Sequence, residues 1–191
     1  MPHKKQHIAS DFMSWDESKR VINLLYRDED YWYCLLFTIA THFGLRISDV
    51  KKLTWDDLIR KERVVINEKK TGKKKIIETP ENIKDFVLTL YGKIKPRGKY
   101  IVNVKHTQTI NQKLKRLKDK YNIDIGNFST HTFRKTFGRH YWEKNGRSEY
   151  ALFMLMQLFN HNSLDTTKVY LGIRQDEFNQ VYNDIAEETI V

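Results

Sequence analysis

Apolar residues recur at helical spacing through most of the chain, and the exceptions mark its joints. Val21, Ile22, Leu24 and Leu25 form a buried stripe behind Ser14, which makes a capping box with Glu17. Tyr31 to about Phe43 is apolar on nearly every side, which places it in the core, and Gly44 supplies the left-handed residue that ends it. Ser48 or Asp49 then caps a short helix whose Val50 and Leu53 face inward. Between residues 63 and 79 the period changes. Arg63–Asn67 and residues 75–79 are rich in β-branched side chains, and Thr71-Gly72 between them is a turn signal, so this stretch is a β-hairpin.

Helical spacing returns at Thr79-Pro80-Glu81, with threonine as cap and proline in the first turn, and Ile83, Phe86, Val87 and Leu90 as the inner face. A basic loop over 92–99 leads to a short strand at 100–102, and a helix over 108–121 buries Ile110, Leu114 and Leu117. Ser129 or Thr130 caps a helix that ends at Asn145-Gly146. Ser148 starts another, with Leu152, Phe153, Leu155, Met156 and Leu158 in the core and Asn160 as its left-handed end. Leu164–Leu171 is a short helix, and 174–191 is an acidic amphipathic one with Phe178, Val181, Tyr182 and Ile185 on a single face. The pattern predicts an α+β fold, mostly helical, with a small antiparallel sheet around the hairpin.

Charge changes this picture more than composition does. The 191 residues carry a formal charge of +10, which suits a polyanionic partner, nucleic acid before a membrane surface. The hairpin tip collects Lys69, Lys70, Lys73, Lys74 and Lys75, and the helix over 108–121 carries Lys113, Lys115, Arg116, Lys118 and Lys120 away from its apolar side. Each cluster reads either as a solvated surface or as a contact to phosphates. The one cysteine, Cys34, sits in an apolar run, so a disulfide framework is excluded, and a reducing, cytoplasmic setting is expected. No run is long enough to span a bilayer, and the first residues lack the apolar stretch of a secretory signal.

Candidate chemistry concentrates between residues 129 and 170. His131 and Arg134 lie three apart on one helix face, and His161 precedes Tyr170 by nine residues. Histidines, an arginine and a tyrosine, with no cysteine cluster or carboxylate pair, suit the binding of a phosphodiester and attack on it without a metal. Arg46 stands between two apolar residues after a buried helix. A charge drawn inward there needs a partner, which is Asp49, Asp56 or Asp57, or else a bound phosphate.

Taken in order, Gly44-Leu45-Arg46-Ile47-Ser48-Asp49, the Lys70-Thr71-Gly72 hairpin, His131-Thr132-Phe133-Arg134, His161 and Tyr170 resemble the tyrosine recombinase (phage integrase) family. One such motif is weak; five in order are specific. The resemblance implies a DNA breaking-rejoining catalytic domain in which Arg46 and Arg134 clamp the scissile phosphate. His131 and His161 are then hydrogen-bonding or acid–base partners, Tyr170 the nucleophile, and Lys70 the acid for the leaving 5′ oxygen, with Lys69 and Lys73 close enough to compete for that role. Lys69, Lys73, Lys74 and Lys75 are expected to contact DNA. Phe159-Asn160 replaces the family's Leu-Gly, and the interval from Arg134 to His161 is a few residues longer, an extension around 145–150 that bears on the placement of His161.

The implied activity is site-specific recombination, integrating or excising a mobile element through a 3′-phosphotyrosine. Double-stranded DNA is the partner, the assembly a tetramer, and neither metal nor cofactor is needed. Relaxation by a type IB topoisomerase and non-catalytic DNA binding are the alternatives. The expected organisation is an arm or linker remnant at 1–13, a catalytic domain at 14–173 and, at 174–191, a helix that docks on a neighbouring protomer. Family members carry an N-terminal helical domain that closes around DNA, and a first helix starting near residue 14 is expected to reflect excision or reduction of that domain.

Overall fold

A computed structural model describes residues 11–67, 72 and 74–189. Among them are ten helices and one antiparallel pair of strands. The chain divides into two compact units between Phe137 and Gly138.

In the first unit, α1 (Trp15–Arg27) starts where the Ser14 hydroxyl accepts the Glu17 N–H, and it buries Val21, Ile22 and Leu25 against α2 (Tyr31–Phe43). Nine of the thirteen residues of α2 are buried, so it forms the centre of this unit. Phe37 makes edge contacts with Phe133 and Phe128, at centroid distances of 4.7 and 5.8 Å. Gly44 ends α2 at φ +56°, and a side chain there would also collide with the Phe137 ring.

Helix α3 (Ile47–Val50) does not begin at Ser48 or Asp49. Arg46 takes the extended cap conformation itself, and its side chain does not cap the helix. Ser48 and Asp49 fall inside the helix, and Asp49 is fully buried. Helix α4 (Trp55–Ile59) has a complete capping box between Thr54 and Asp57.

The hairpin pairs β1 (Arg63–Asn67) with β2 (Lys74–Glu78) in the register Val64↔Ile77 and Ile66↔Lys75. Val64 and Ile66 turn inward while Val65 and Ile76 face solvent. Helix α5 (Glu81–Ile94) takes Pro80 rather than Thr79 as its cap residue. The Thr79 N–H is held by the Glu62 carbonyl at the base of the hairpin, and the Pro80 carbonyl accepts from Ile83 and Lys84. The helix continues through Gly92, which shortens the expected basic loop. The expected strand at 100–102 is only a bridge between Tyr100 and Thr54. Helix α6 (Thr107–Tyr121) buries Ile110, Leu114 and Leu117 as its spacing predicts.

Helix α7 (Thr130–Lys144) contains the division between the units. The second unit holds its last turns, then α8 (Glu149–Phe159), α9 (Leu164–Leu171) and α10 (Ile173–Thr189). In α8, Ala151, Leu152, Leu155 and Phe159 are buried, but Phe153 is 45% exposed and belongs to an outer face with Tyr150 and Met154. A helix apolar on most sides does not reveal by spacing which side is covered. No helix among the described residues is long and apolar enough to cross a membrane.

Candidate active site

The start of α7 is held by side chains as well as by its own backbone. The Ser129 hydroxyl accepts the His131 N–H at 3.2 Å, and the Ser129 N–H in turn donates to the Thr132 hydroxyl at 3.2 Å. From α6, the Asn111 side-chain oxygen accepts the Thr130 N–H at 3.0 Å. First-turn N–H groups of a helix have no partner within it, so these acceptors stabilise the turn that carries His131. His131 is exposed on that turn. Arg134, one turn on, is buried, and its Nη1 donates to the carbonyl oxygen of Gly44 at 2.7 Å. Gly44 caps the C-terminus of α2, where carbonyls lacking helical partners concentrate negative potential.

Arg46 follows two residues later, half-buried, as the cap residue of α3. Of the three carboxylates considered as its partner, Asp56 pairs with Arg60 at 3.5 Å and Asp57 with Lys61 at 2.7 Å. Asp49 lies 3.4 Å from the Lys52 ammonium. Lys52 also donates to the Asn67 carbonyl at 2.6 Å, at the end of β1. One ammonium thus ties the segment bearing Arg46 to the hairpin. Sequence reading missed this residue, because nothing in a surface-type lysine announces a partner fifteen residues away.

Lys69, Lys70 and Lys73 lie outside the described residues. Lys74 and Lys75 are described, and alternation along β2 sends them to opposite faces. Lys74 is exposed opposite Asn67, whereas Lys75 stands opposite the buried Ile66 on the inward face. Lys74 and Lys75 therefore do not share one outward face. The basic face of α6 is also partly engaged within the protein. Lys113 pairs with Asp30 at 2.8 Å, Lys120 with Asp28 at 2.7 Å, and Lys118 donates to the Gly126 carbonyl. The Lys120 hydrogen bond, opposed by burial and aided by Tyr121, holds the Asp28 carboxyl below its ordinary range. On α7, burial pushes the Lys135 ammonium below its ordinary range, against the opposing pull of Asp11.

In the second unit Tyr170 lies on α9 and His161 just before it. Their rings meet edge to face, with centroids 5.2 Å apart and planes at 70°. Phe159 touches both, at 5.5 Å from His161 and 5.8 Å from Tyr170. Asn160, at φ +51°, makes the turn between Phe159 and His161, the backbone role expected of it. The His161 Nδ1 is 3.0 Å from the Thr167 hydroxyl. Gly138 lies beneath this group, since a Cβ there would come within 2.6 Å of Leu171 and 3.1 Å of Phe159.

The segment around 145–150, where an extension is expected, forms a tight turn. Gly146 and Arg147 both take left-handed backbone, and the Arg147 N–H returns to the Trp142 carbonyl. Both Arg139 and Arg147 place guanidinium groups over the Trp142 ring, at 5.3 and 5.8 Å. Beyond this turn, His161 lies beside Tyr170.

The described cavities lie elsewhere. One of about 380 Å³ is lined by Trp32, Tyr33, Leu36 and residues 101–104, and contains none of the predicted site residues. A polymer backbone is met by side chains on open surface, so an enclosed pocket is not required.

Relatives of known type share this architecture. The chain is 27% identical over 179 residues to a probable integrase/recombinase, YoeC, of Bacillus subtilis (strain 168), covering 92% of this chain and 96% of that one. It superposes on the crystal structure of XerA recombinase with a TM-score of 0.67 at 20% identity, covering 93% of this chain and 65% of XerA. Against a lambda integrase dimer bound to a COC′ core site the TM-score is 0.64 at 17% identity, over 87% of this chain and 49% of that one. The chain thus spans less than two thirds of either of these solved proteins, and the likeness establishes the fold. Residues 11–177 match the phage integrase family, and the chain belongs to that family, the tyrosine recombinases.

Proposed function

We propose that this protein is a site-specific DNA recombinase that cleaves and rejoins DNA through a covalent bond to Tyr170. The observation that carries this reading is the placement of His161 against Tyr170 on α9, in a chain whose Arg134 is anchored two residues from Arg46. In the first step the Tyr170 Oη attacks the scissile phosphorus. The Oη–P bond forms, the P–O5′ bond breaks, and a 3′-phosphotyrosyl ester results. The ester conserves the phosphodiester, so attack by a 5′ hydroxyl reverses the step and rejoins the strand.

The side chains have distinct parts. Arg46 and Arg134 supply fixed positive charge for the equatorial oxygens of the pentacoordinate transition state, where charge is greatest. Arginine suits this because its donors form a planar fork and its charge persists at any working pH. His131 adds a hydrogen-bonding or acid–base group, and His161 acts beside the phenol. A phenol ordinarily titrates near pH ~10 and needs help to lose its proton. Lys70 is the acid for the leaving oxygen, and Lys74 a contact to the DNA backbone. Affinity of the relatives with integrases and recombinases weighs against topoisomerase relaxation and non-catalytic binding.

Recombination joins two duplexes and so calls for more than one copy. The face of α10 bearing Phe178, Val181, Tyr182 and Ile185 is exposed, each residue by 52% or more. A stripe at i, i+3, i+4 and i+7 is suited to a groove on a neighbouring protomer. We assign residues 174–191 this docking role within a tetramer, residues 14–173 the catalytic domain, and 1–13 an arm or linker remnant. Incubation with half-site DNA followed by denaturing electrophoresis tests the chemistry. Chemical crosslinking on DNA, with Phe178 and Ile185 changed to serine, tests the assembly.

A further inference from the structure

The strand expected at 100–102 is reduced to one bridge, and this leaves an edge open. The Lys99 carbonyl accepts the Trp55 N–H at 3.0 Å, and the Ile101 N–H donates to the Leu53 carbonyl at 3.1 Å. In an antiparallel bridge of this kind, the residue between the two bonds turns its own N–H and C=O the other way. That residue is Tyr100, whose N–H and C=O have no partner among the described residues. The backbones of Val102, Asn103 and Val104 make no bond among them either. A row of unpaired backbone groups is a template for a further strand.

The surface beside this edge is hollowed and aromatic. Trp32, in the first turn of α2, lines two cavities of about 380 and 130 Å³. The larger is shared with Leu36 and residues 101–104, the smaller with Arg97 and Tyr100. The Trp32 ring is steadied by an edge contact to Trp55 at 6.0 Å, yet it stays 39% exposed. Arg97 and Lys99 are exposed beside the edge, with Lys99 over the Tyr100 ring, and neither pairs with a carboxylate among the described residues. Asp30, which also lines the larger cavity, is neutralised by Lys113, so the rim is positive. Helix α2 puts about 18 Å between Trp32 and Gly44, which sets this surface apart from the candidate active site.

We propose that the edge from Tyr100 to Val104, with the hollows at Trp32, is a docking groove for an extended acidic segment of a partner protein. The backbone of that segment pairs with Tyr100. Its alternate apolar side chains enter the two hollows, and its carboxylates meet Arg97 and Lys99. The acidic helix α10 of a second copy is not that segment, because its backbone bonds are made within its own helix. Single-stranded DNA could use the aromatic rings and cations, but it has no amide row to match the edge. The proposal does not rest on the recombinase reading.

The test uses the full chain, isotope-labelled, and a capped peptide alternating glutamate with valine as the probe. Binding is read from backbone amide shifts and from the fluorescence anisotropy of a dye-bearing probe. Saturable binding is expected, with shifts centred on residues 100–104 and on the Trp32 indole N–H. Two further probes carry N-methyl groups on alternate residues, in opposite phase; one is expected to bind as before and the other to lose about tenfold or more, since only one edge of the peptide is used. Trp32→Ala should weaken binding about tenfold at an unchanged melting temperature. Arg97→Glu combined with Lys99→Glu should reverse the preference, so that a lysine-for-glutamate probe binds better. No binding at about 1 mM probe overturns the proposal. So do shifts centred elsewhere, equal affinity for the glutamate and lysine probes, or full affinity of both N-methylated probes. Variants that lose affinity for a single-stranded oligonucleotide while binding the peptide as wild type does would assign the groove to nucleic acid and overturn it too.

Discussion

Arg134 donates to the carbonyl of Gly44 across 2.7 Å, so the arginine of α7 is bonded to the residue that ends α2, two positions before Arg46. The contact gives a guanidinium that is 3% exposed one of the partners its burial demands, and it limits the orientations the group can take. Arg134→Lys keeps the charge and loses the fork. Half-site cleavage is expected to fall by about 10²-fold, as when a preorganised donor to a developing charge is removed. DNA affinity measured by gel shift stays within a few-fold of wild type. A loss confined to affinity would contradict the assigned role.

Lys52 bridges Asp49 and the Asn67 carbonyl, and so steadies the hairpin that bears Lys70. Lys52→Met preserves the aliphatic stem and removes both contacts. Cleavage is expected to drop by about tenfold, the cost of one charge-assisted hydrogen bond, with little change in melting temperature. Equal rates for variant and wild type would show that hairpin placement does not depend on this ammonium.

Gly138 leaves no room for a methyl group between Leu171 and Phe159. Gly138→Ala must displace the buried Leu171 side chain or part α7 from the helix that carries Tyr170, at a cost of about 1–3 kcal/mol typical of overpacking. Chemical denaturation measures the loss. A variant as stable as wild type would mean that Leu171 rotates away freely.

Burial pushes the Cys34 thiol up from an ordinary 9.0 to about 12, with a further push from Asp30. Between those values the folded protein holds a proton that the unfolded chain has released, so the sign follows: stability falls as pH rises from about 9 towards about 12. Cys34→Ala should show a shallower decline in melting temperature over that alkaline range than wild type does. The folded thiol should also resist alkylation at neutral pH. Parallel alkaline declines would contradict the assignment of this slope to Cys34.

What the residue pattern could reveal follows from how local each feature is. Gly44 and Asn160 end their helices as read, because left-handed termini are set by the residue itself. The caps Ser14 and Ser148 are legible for the same reason. The start of α5 and the strand expected at 100–102 depend on partners distant in the chain, Glu62 and Thr54. Arg46, His131, Arg134, His161 and Tyr170 stood out by order and spacing. The atoms that restrain some of them, the Gly44 carbonyl and the Thr167 and Ser129 hydroxyls, did not, since such groups occur throughout any chain. Lys75 and Phe153 show the remaining difficulty: composition marks a residue as basic or apolar, while the face it occupies is fixed by register and packing.

Tyr170 as the nucleophile is the claim on which the proposed strand exchange rests. The direct measurement uses end-labelled half-site DNA, denaturing electrophoresis of the products, and mass mapping of the labelled peptide. The expected result is a denaturation-resistant complex whose DNA is esterified to Tyr170 and which is absent from Tyr170→Phe. A complex of equal yield in Tyr170→Phe, or a label on another tyrosine, would contradict it.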